Sequence, residues 1–86
     1  VLLYGVPVSE PPEIDYRGDL PPHQQIAGWL RARIESGDLR EGQVLPSEKE
    51  LMGTFGVART TVRRAIAVLR SDGLIRTVAQ RGSYVT

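Results

Sequence analysis

Residues 45–73 read LPSEKELMGTFGVARTTVRRAIAVLRSDG, and they define two consecutive helices. Ser47 and Glu50 make a Ser-x-x-Glu capping box. In such a box the hydroxyl takes one amide hydrogen that has no helical acceptor, and the carboxylate reaches back to another. The helix begun there is predicted to run to Phe55, where Gly56 ends it, and only Val57 and Ala58 separate it from the next periodic run. In that run Val62, Ala65, Ile66 and Leu69 recur at i, i+3, i+4 and i+7, one apolar stripe, and Gly73 closes it. The spacing predicts a helix over 59–71.

Working outward from this pair, Pro21 and Pro22 are compatible with a helix's first turn, where the amide hydrogens lack acceptors. Ile26, Leu30 and Ile34 follow at four-residue spacing and Gly37 stops the run, which predicts a helix over 21–36. Residues 40–43 read as a turn and Val44-Leu45 as a short strand halted by Pro46. On the other side, Leu74 to Val78 alternates like a strand, Ala79 to Gly82 reads as a turn, and Ser83 to Thr86 is extended again. Helix, short strand, helix, tight turn, helix, hairpin is the winged helix-turn-helix order, a mainly α fold with a small β-hairpin. Pro7, Pro11 and Pro12 forbid a long helix earlier and no regular strand alternation replaces it. Residues 1–18 are therefore expected to be a flexible proline-rich arm, with a single domain over 19–86.

Length and composition set limits on function. A chain of 86 residues buries only about 60% of the surface it exposes when unfolded, so one small core must suffice and a deep two-domain cleft is excluded. The absence of cysteine removes disulfides, thiolate zinc sites and thiol nucleophiles, and one histidine leaves too few soft ligands for a structural metal. No apolar run approaches the roughly 20 residues that span a bilayer, and a soluble, cytoplasmic protein is expected. The near-neutral total charge hides an asymmetry. Residues 1–48 hold four Arg against eight acids, a balance of −4, whereas residues 49–86 hold seven bases against two acids, a balance of +5. Clustered Lys and Arg on one half fit a polyanion, by counterion release from phosphates.

A tight turn between two short helices lets the second project while the first braces it, with Leu51, Phe55, Val57, Val62 and Ile66 fixing the angle. Arg59, Thr60 and Arg63 fall in the first turn and a half of the projecting helix, the end that would enter a major groove. Arg can grip guanine as a fork or hold a phosphate, and Thr can bond either or pack on a thymine methyl. Residues 59–70 contain no acid, unlike an ordinary solvated helix of mixed sign. The reading requires Arg59 and Arg63 to point outward, clear of the protein's own carboxylates.

Leu45-Pro46-Ser47-Glu48-Lys49-Glu50-Leu51, then Phe55-Gly56-Val57-Ala58-Arg59-Thr60-Thr61-Val62-Arg63, then Leu69 to Gly73 and Leu74-Ile75, resemble the DNA-binding domain of the GntR family of bacterial transcription regulators. The resemblance covers about residues 21–86. It implies a homodimer on a palindromic operator of double-stranded DNA, with the 59–71 helix in the major groove and the hairpin tip in the adjoining minor groove. Matched position by position, it places operator contacts on Lys49, Arg59, Thr60, Thr61, Arg63 and the tip residue Gly82, with Ser47 near the backbone. Three departures stand out. Ala58 replaces the usual Ser or Thr cap, Lys49 stands where Arg is commoner, and Arg64 takes the place of an acid, which makes that face more basic and adds a candidate contact. Family members usually continue into a larger effector-binding and dimerising domain. Effector response is then absent here, supplied by another chain, or lost by truncation, and a small-molecule effector is expected only if a further domain exists.

Arg81, near the hairpin turn, reads either as an ordinary charge or as a phosphate or minor-groove contact. Gly82 reads as a positive-φ turn residue, as a point of close approach to the groove floor, or as both. A competing function is protein docking, through Trp29 and the acidic first half. RNA binding is weaker because aromatic residues, at 6%, are too few to stack many unpaired bases. Catalysis is not expected, since a solitary histidine, no glycine-rich phosphate loop and no paired carboxylates leave no catalytic set, and no cofactor is implied.

Overall fold

The computed structural model describes the backbone of residues 2–3 and 6–7 and the whole of residues 9–86. Of the expected arm, residues 1, 4, 5 and 8 lie outside the described residues. The arm holds one feature not expected from its lack of strand alternation: β1 (Leu2–Leu3) pairs antiparallel with β2 (Val6–Pro7). Proline is tolerated there because a sheet edge does not require every amide to donate. From Ile14 onward the chain is tied to the domain. Ile14 packs against the core, and the Gln25 side-chain amide donates to the carbonyls of Asp15 and Leu20, both at 2.8 Å, while its carbonyl accepts the Asp15 amide at 2.9 Å.

Three helices follow: α1 (Pro22–Glu35), α2 (Glu48–Phe55) and α3 (Arg59–Ser71). The predicted ends hold to within a residue because each is set by local chemistry. Pro21 and Pro22 stand at the N-cap and first position of α1. At α2 the capping box forms in full, with Glu50 N–H donating to Ser47 Oγ at 3.0 Å and Ser47 N–H to Glu50 Oε1 at 3.4 Å. Gly56 ends α2 in the left-handed region, φ 63°, and its amide closes on Met52 O at 2.8 Å. That conformation costs any residue with a Cβ roughly 1 kcal/mol, so glycine makes the sharp turn into α3 at little strain.

Ala58, the N-cap of α3, makes no side-chain capping bond. Ala58→Ser should therefore raise stability by about 0.5–1 kcal/mol by satisfying one amide. A higher urea midpoint at unchanged slope would register the gain. An unchanged midpoint would mean that solvent already serves those amides as well.

The core is continuous across the helices and the hairpin. Ile26, Ala27, Trp29 and Leu30 of α1 meet Val62, Ala65, Ile66 and Leu69 of α3, with Leu51 and Phe55 of α2 closing one side. Among the described residues the α1–α3 contact is the most extensive. Arg31 of α1 also reaches the end of α3, pairing with Asp72 at 2.6 Å. β3 (Ile75–Val78) and β4 (Gly82–Val85) form an antiparallel hairpin in the register Ile75↔Val85, Arg76↔Tyr84, Thr77↔Ser83 and Val78↔Gly82. Ile75 and Val85 bury its base in the core. The expected strand at Val44-Leu45 contracts to a single bridge, Val44↔Tyr84, extended by Leu45 N–H to Ser83 O at 2.8 Å and Val85 N–H to Gln43 O at 2.9 Å. Pro46 and the capping box begin the next helix before the pairing can lengthen. The arrangement is a winged helix-turn-helix, and among the described residues no helix is long and apolar enough to cross a membrane.

Candidate nucleic-acid interface

Between the start of α2, one face of α3 and the wing lies an open groove of about 770 Å³. Its cations are Lys49, Arg59, Arg63, Arg70 and Arg81, and its acids are Glu48 and Glu50. The α3 contribution follows from helical periodicity: Arg59, Arg63, Ile66 and Arg70 stand at i, i+4, i+7 and i+11, one face of the helix. The stripe of Val62, Ala65 and Leu69, roughly 100° around the helix, is fully buried, and this fixes the cationic face at the surface.

Six of the residues singled out from the sequence line this groove: Ser47, Lys49, Arg59, Arg63, Arg81 and Gly82. Ser47 caps α2, so its oxygen serves the fold while its hydroxyl hydrogen stays available. Thr60, Thr61 and Arg64 do not line it. Thr60 and Arg64, both exposed, sit roughly 60–140° around α3 from Arg59 and Arg63, and Thr61, half-buried, lies on the far side of the helix from them. Gly82 is not the tip residue. It pairs with Val78 at the first rung of β4, and the turn itself is Ala79-Gln80-Arg81. Gly82 has φ +112°, and a Cβ there would meet Val44 Cγ2 at 3.4 Å. The turn's other positive φ falls on Gln80, at 64°, with no glycine to mark it.

Arg59 and Arg63 are not clear of the protein's own carboxylates, and here the expectation is corrected. Glu48, in the first turn of α2, stands between them: Oε2 is 3.1 Å from Arg63 Nε and Oε1 is 3.7 Å from Arg59 Nε. Glu48 is a groove residue that the motif reading passed over. Its position next to the capping serine was the available signal, but its partners lie 11 and 15 residues away. Both pairs run through Nε, and the arginine side chains remain 53% and 61% exposed. The terminal guanidinium nitrogens are thus left to face a ligand. An exposed pair of this kind is worth about 0–1 kcal/mol, small enough to be exchanged for a phosphate or a base. Its larger effect is to hold two flexible side chains side by side.

Arg70, not among the candidate contact residues, also enters the groove and donates to Thr77 Oγ1 at 2.9 Å. Trp29, the anchor of the docking alternative, is buried: its ring meets Phe55 edge-on at 5.3 Å, and the Arg33 guanidinium covers it at 4.9 Å. A side chain so placed belongs to the core and cannot dock a partner without unfolding part of it.

Comparison with known proteins gives this geometry a context. The family described as bacterial regulatory proteins, gntR family, matches residues 22–85. The chain is 36% identical over 73 residues to the HTH-type transcriptional repressor NagR of Bacillus subtilis, covering 85% of this chain and 30% of that protein. It is 38% identical over 68 residues to the mannosyl-D-glycerate transport/metabolism system repressor MngR of Escherichia coli, covering 79% of this chain and 28% of that protein. The chain therefore spans less than a third of the length of these relatives. Among solved structures, AraR(DBD) in complex with operator ORX1 matches with a TM-score of 0.79 at 35% identity, over 86% of this chain and 95% of that one. YtrA from Sulfolobus acidocaldarius, a GntR-family transcription factor, matches with a TM-score of 0.78 at 35% identity, over 86% of this chain and 78% of that one. The match extends from the first turn of α1 to the last rung of the wing, and this chain belongs to the gntR family of bacterial regulatory proteins.

Proposed function

We propose that the domain binds double-stranded operator DNA sequence-specifically, in the bacterial cytoplasm, as the reading head of a transcription regulator. The observation that carries this reading is the convergence of Lys49, Arg59, Arg63, Arg70 and Arg81 from three elements on one open groove. Glu50 is engaged in the α2 cap and Glu48 lies between two arginines, so the charge left facing outward is positive. At 13 residues α3 is about 20 Å long, and a major groove about 12 Å wide admits a helix. In this reading α3 enters the major groove, Arg59 and Arg63 present forks to base edges with Thr60 beside them, and Thr61, Arg64, Lys49 and Ser47 meet the backbone. Arg81 and Gly82 bring the wing to the adjoining minor groove. A palindromic operator occupied by a homodimer completes the proposal, with a small-molecule effector only if a further domain exists outside these residues. The operator complex solved for AraR supports this by likeness of fold.

Selection of bound duplexes from a random pool, followed by fluorescence anisotropy across salt concentrations, tests it. The expected result is an enriched, two-fold symmetric site and a log–log salt slope of about −3 to −5 per domain, for a handful of phosphates neutralised. A folded domain that binds no duplex at low salt would refute the proposal.

A further inference from the structure

The wing is a cantilever. Its base is fixed by the buried pair Ile75 and Val85, while the turn at Gln80 stands exposed beyond. On a pleated strand, side chains two residues apart share a face, so Thr77 and its partner Ser83 lie on the face that Ile75 and Val85 turn to the core. There Arg70 of α3 donates to Thr77 Oγ1 at 2.9 Å, and Thr77 Oγ1 lies 3.0 Å from Ser83 Oγ. One polar chain thus joins the helix to both strands of the hairpin, just beyond the point where apolar packing ends.

We propose that Arg70 is a positioning residue that sets the angle of the wing relative to α3, and so decides which base pairs beside the major-groove site the wing can read. The inference rests on the DNA-binding reading above. Its leverage is geometric. From Thr77 to the tip is about 10 Å of strand, so a tilt of roughly 10° displaces the tip by about 2 Å, more than a working contact tolerates. The hydroxyl pair explains why an arginine in this groove is aimed at the protein and not wholly at the ligand. With one guanidinium nitrogen engaged on Thr77, the wing is held in register with the same helix face that carries Arg59 and Arg63.

The test compares Arg70→Met, Thr77→Val and the unaltered domain by two readouts. Thr77→Val keeps both the β-strand preference and the Arg70 charge. In the DNA-free protein, residual dipolar couplings of amides 75–85 against those of 59–71 report the wing's orientation. On DNA, duplex selection reports base preference position by position. The expected result is a changed or averaged wing orientation in both variants. Core-site preference should persist, flanking preference should be lost, and affinity should fall by about three- to tenfold. Unchanged couplings in both variants would overturn the proposal. So would a Thr77→Val variant that reads the flanks like the parent while Arg70→Met weakens selected and random duplexes equally with a shallower salt slope, since Arg70 would then be a phosphate anchor. Should the unaltered domain select no duplex at all, the DNA-binding reading fails, while the couplings still judge the brace.

Discussion

Arg63→Ala should weaken binding to the selected operator by about 2–3 kcal/mol, roughly 30- to 150-fold, and flatten the base preference at one position of each half-site. Two effects add. The first is loss of a fork able to grip both acceptors of a guanine, ordinarily about 1–3 kcal/mol. The second comes from the Glu48 carboxylate, which Arg63 covers at 3.1 Å and which would be left with Arg59 at 3.7 Å as its remaining partner. An uncovered carboxylate at the rim of a phosphate-binding groove repels the ligand, and this places the expected loss toward the upper end of the range. The fold should be unaffected, because an exposed ion pair contributes at most about 1 kcal/mol to stability.

Anisotropy titrations of operator and random duplex check the first effect, and the double variant Arg63→Ala with Glu48→Gln isolates the second. Recovery of part of the lost affinity in the double variant measures the repulsion. Equal weakening on both duplexes would make Arg63 a phosphate anchor and not a base reader, and no recovery would remove Glu48 from the account.

Leu69→Ala should be the most damaging core change, at about 3–5 kcal/mol. Leu69 is fully buried where α3 packs on α1, and its carbonyl accepts the Leu74 amide at 3.0 Å as the chain turns into the wing. Removing three carbons there, one methine and two methyls, leaves a cavity bounded by two helices that cannot both collapse onto it. Domains of this size have a total stability of about 5–15 kcal/mol, so the variant should melt roughly 12–40 °C lower in a circular dichroism scan. At low temperature it should still bind duplex, since the groove residues are untouched. A melting point lowered by only a few degrees would mean that the α1–α3 contact relaxes to fill the space.

What this sequence determined alone were the features that close within a turn of helix or a step of strand. The Ser47–Glu50 box and Gly56 bound α2, the prolines open α1, and the four-residue spacing of apolar side chains turns the arginine face of α3 outward. Each needs only its immediate neighbours, whose geometry the backbone supplies whatever the rest of the chain does. The tertiary structure decided how far that arginine face was occupied and by what. Glu48 lies 15 residues from Arg63, Arg31 lies 41 from Asp72, and Thr77 meets Arg70 across the turn that starts the wing. Such contacts depend on the angles at which elements cross, and those angles come from packing Leu30, Leu51, Val62 and Leu69 together, not from any spacing along the chain. The positive φ at Gln80 has the same origin: a short hairpin, pinned at its base by the core, bends the backbone where the closure requires it.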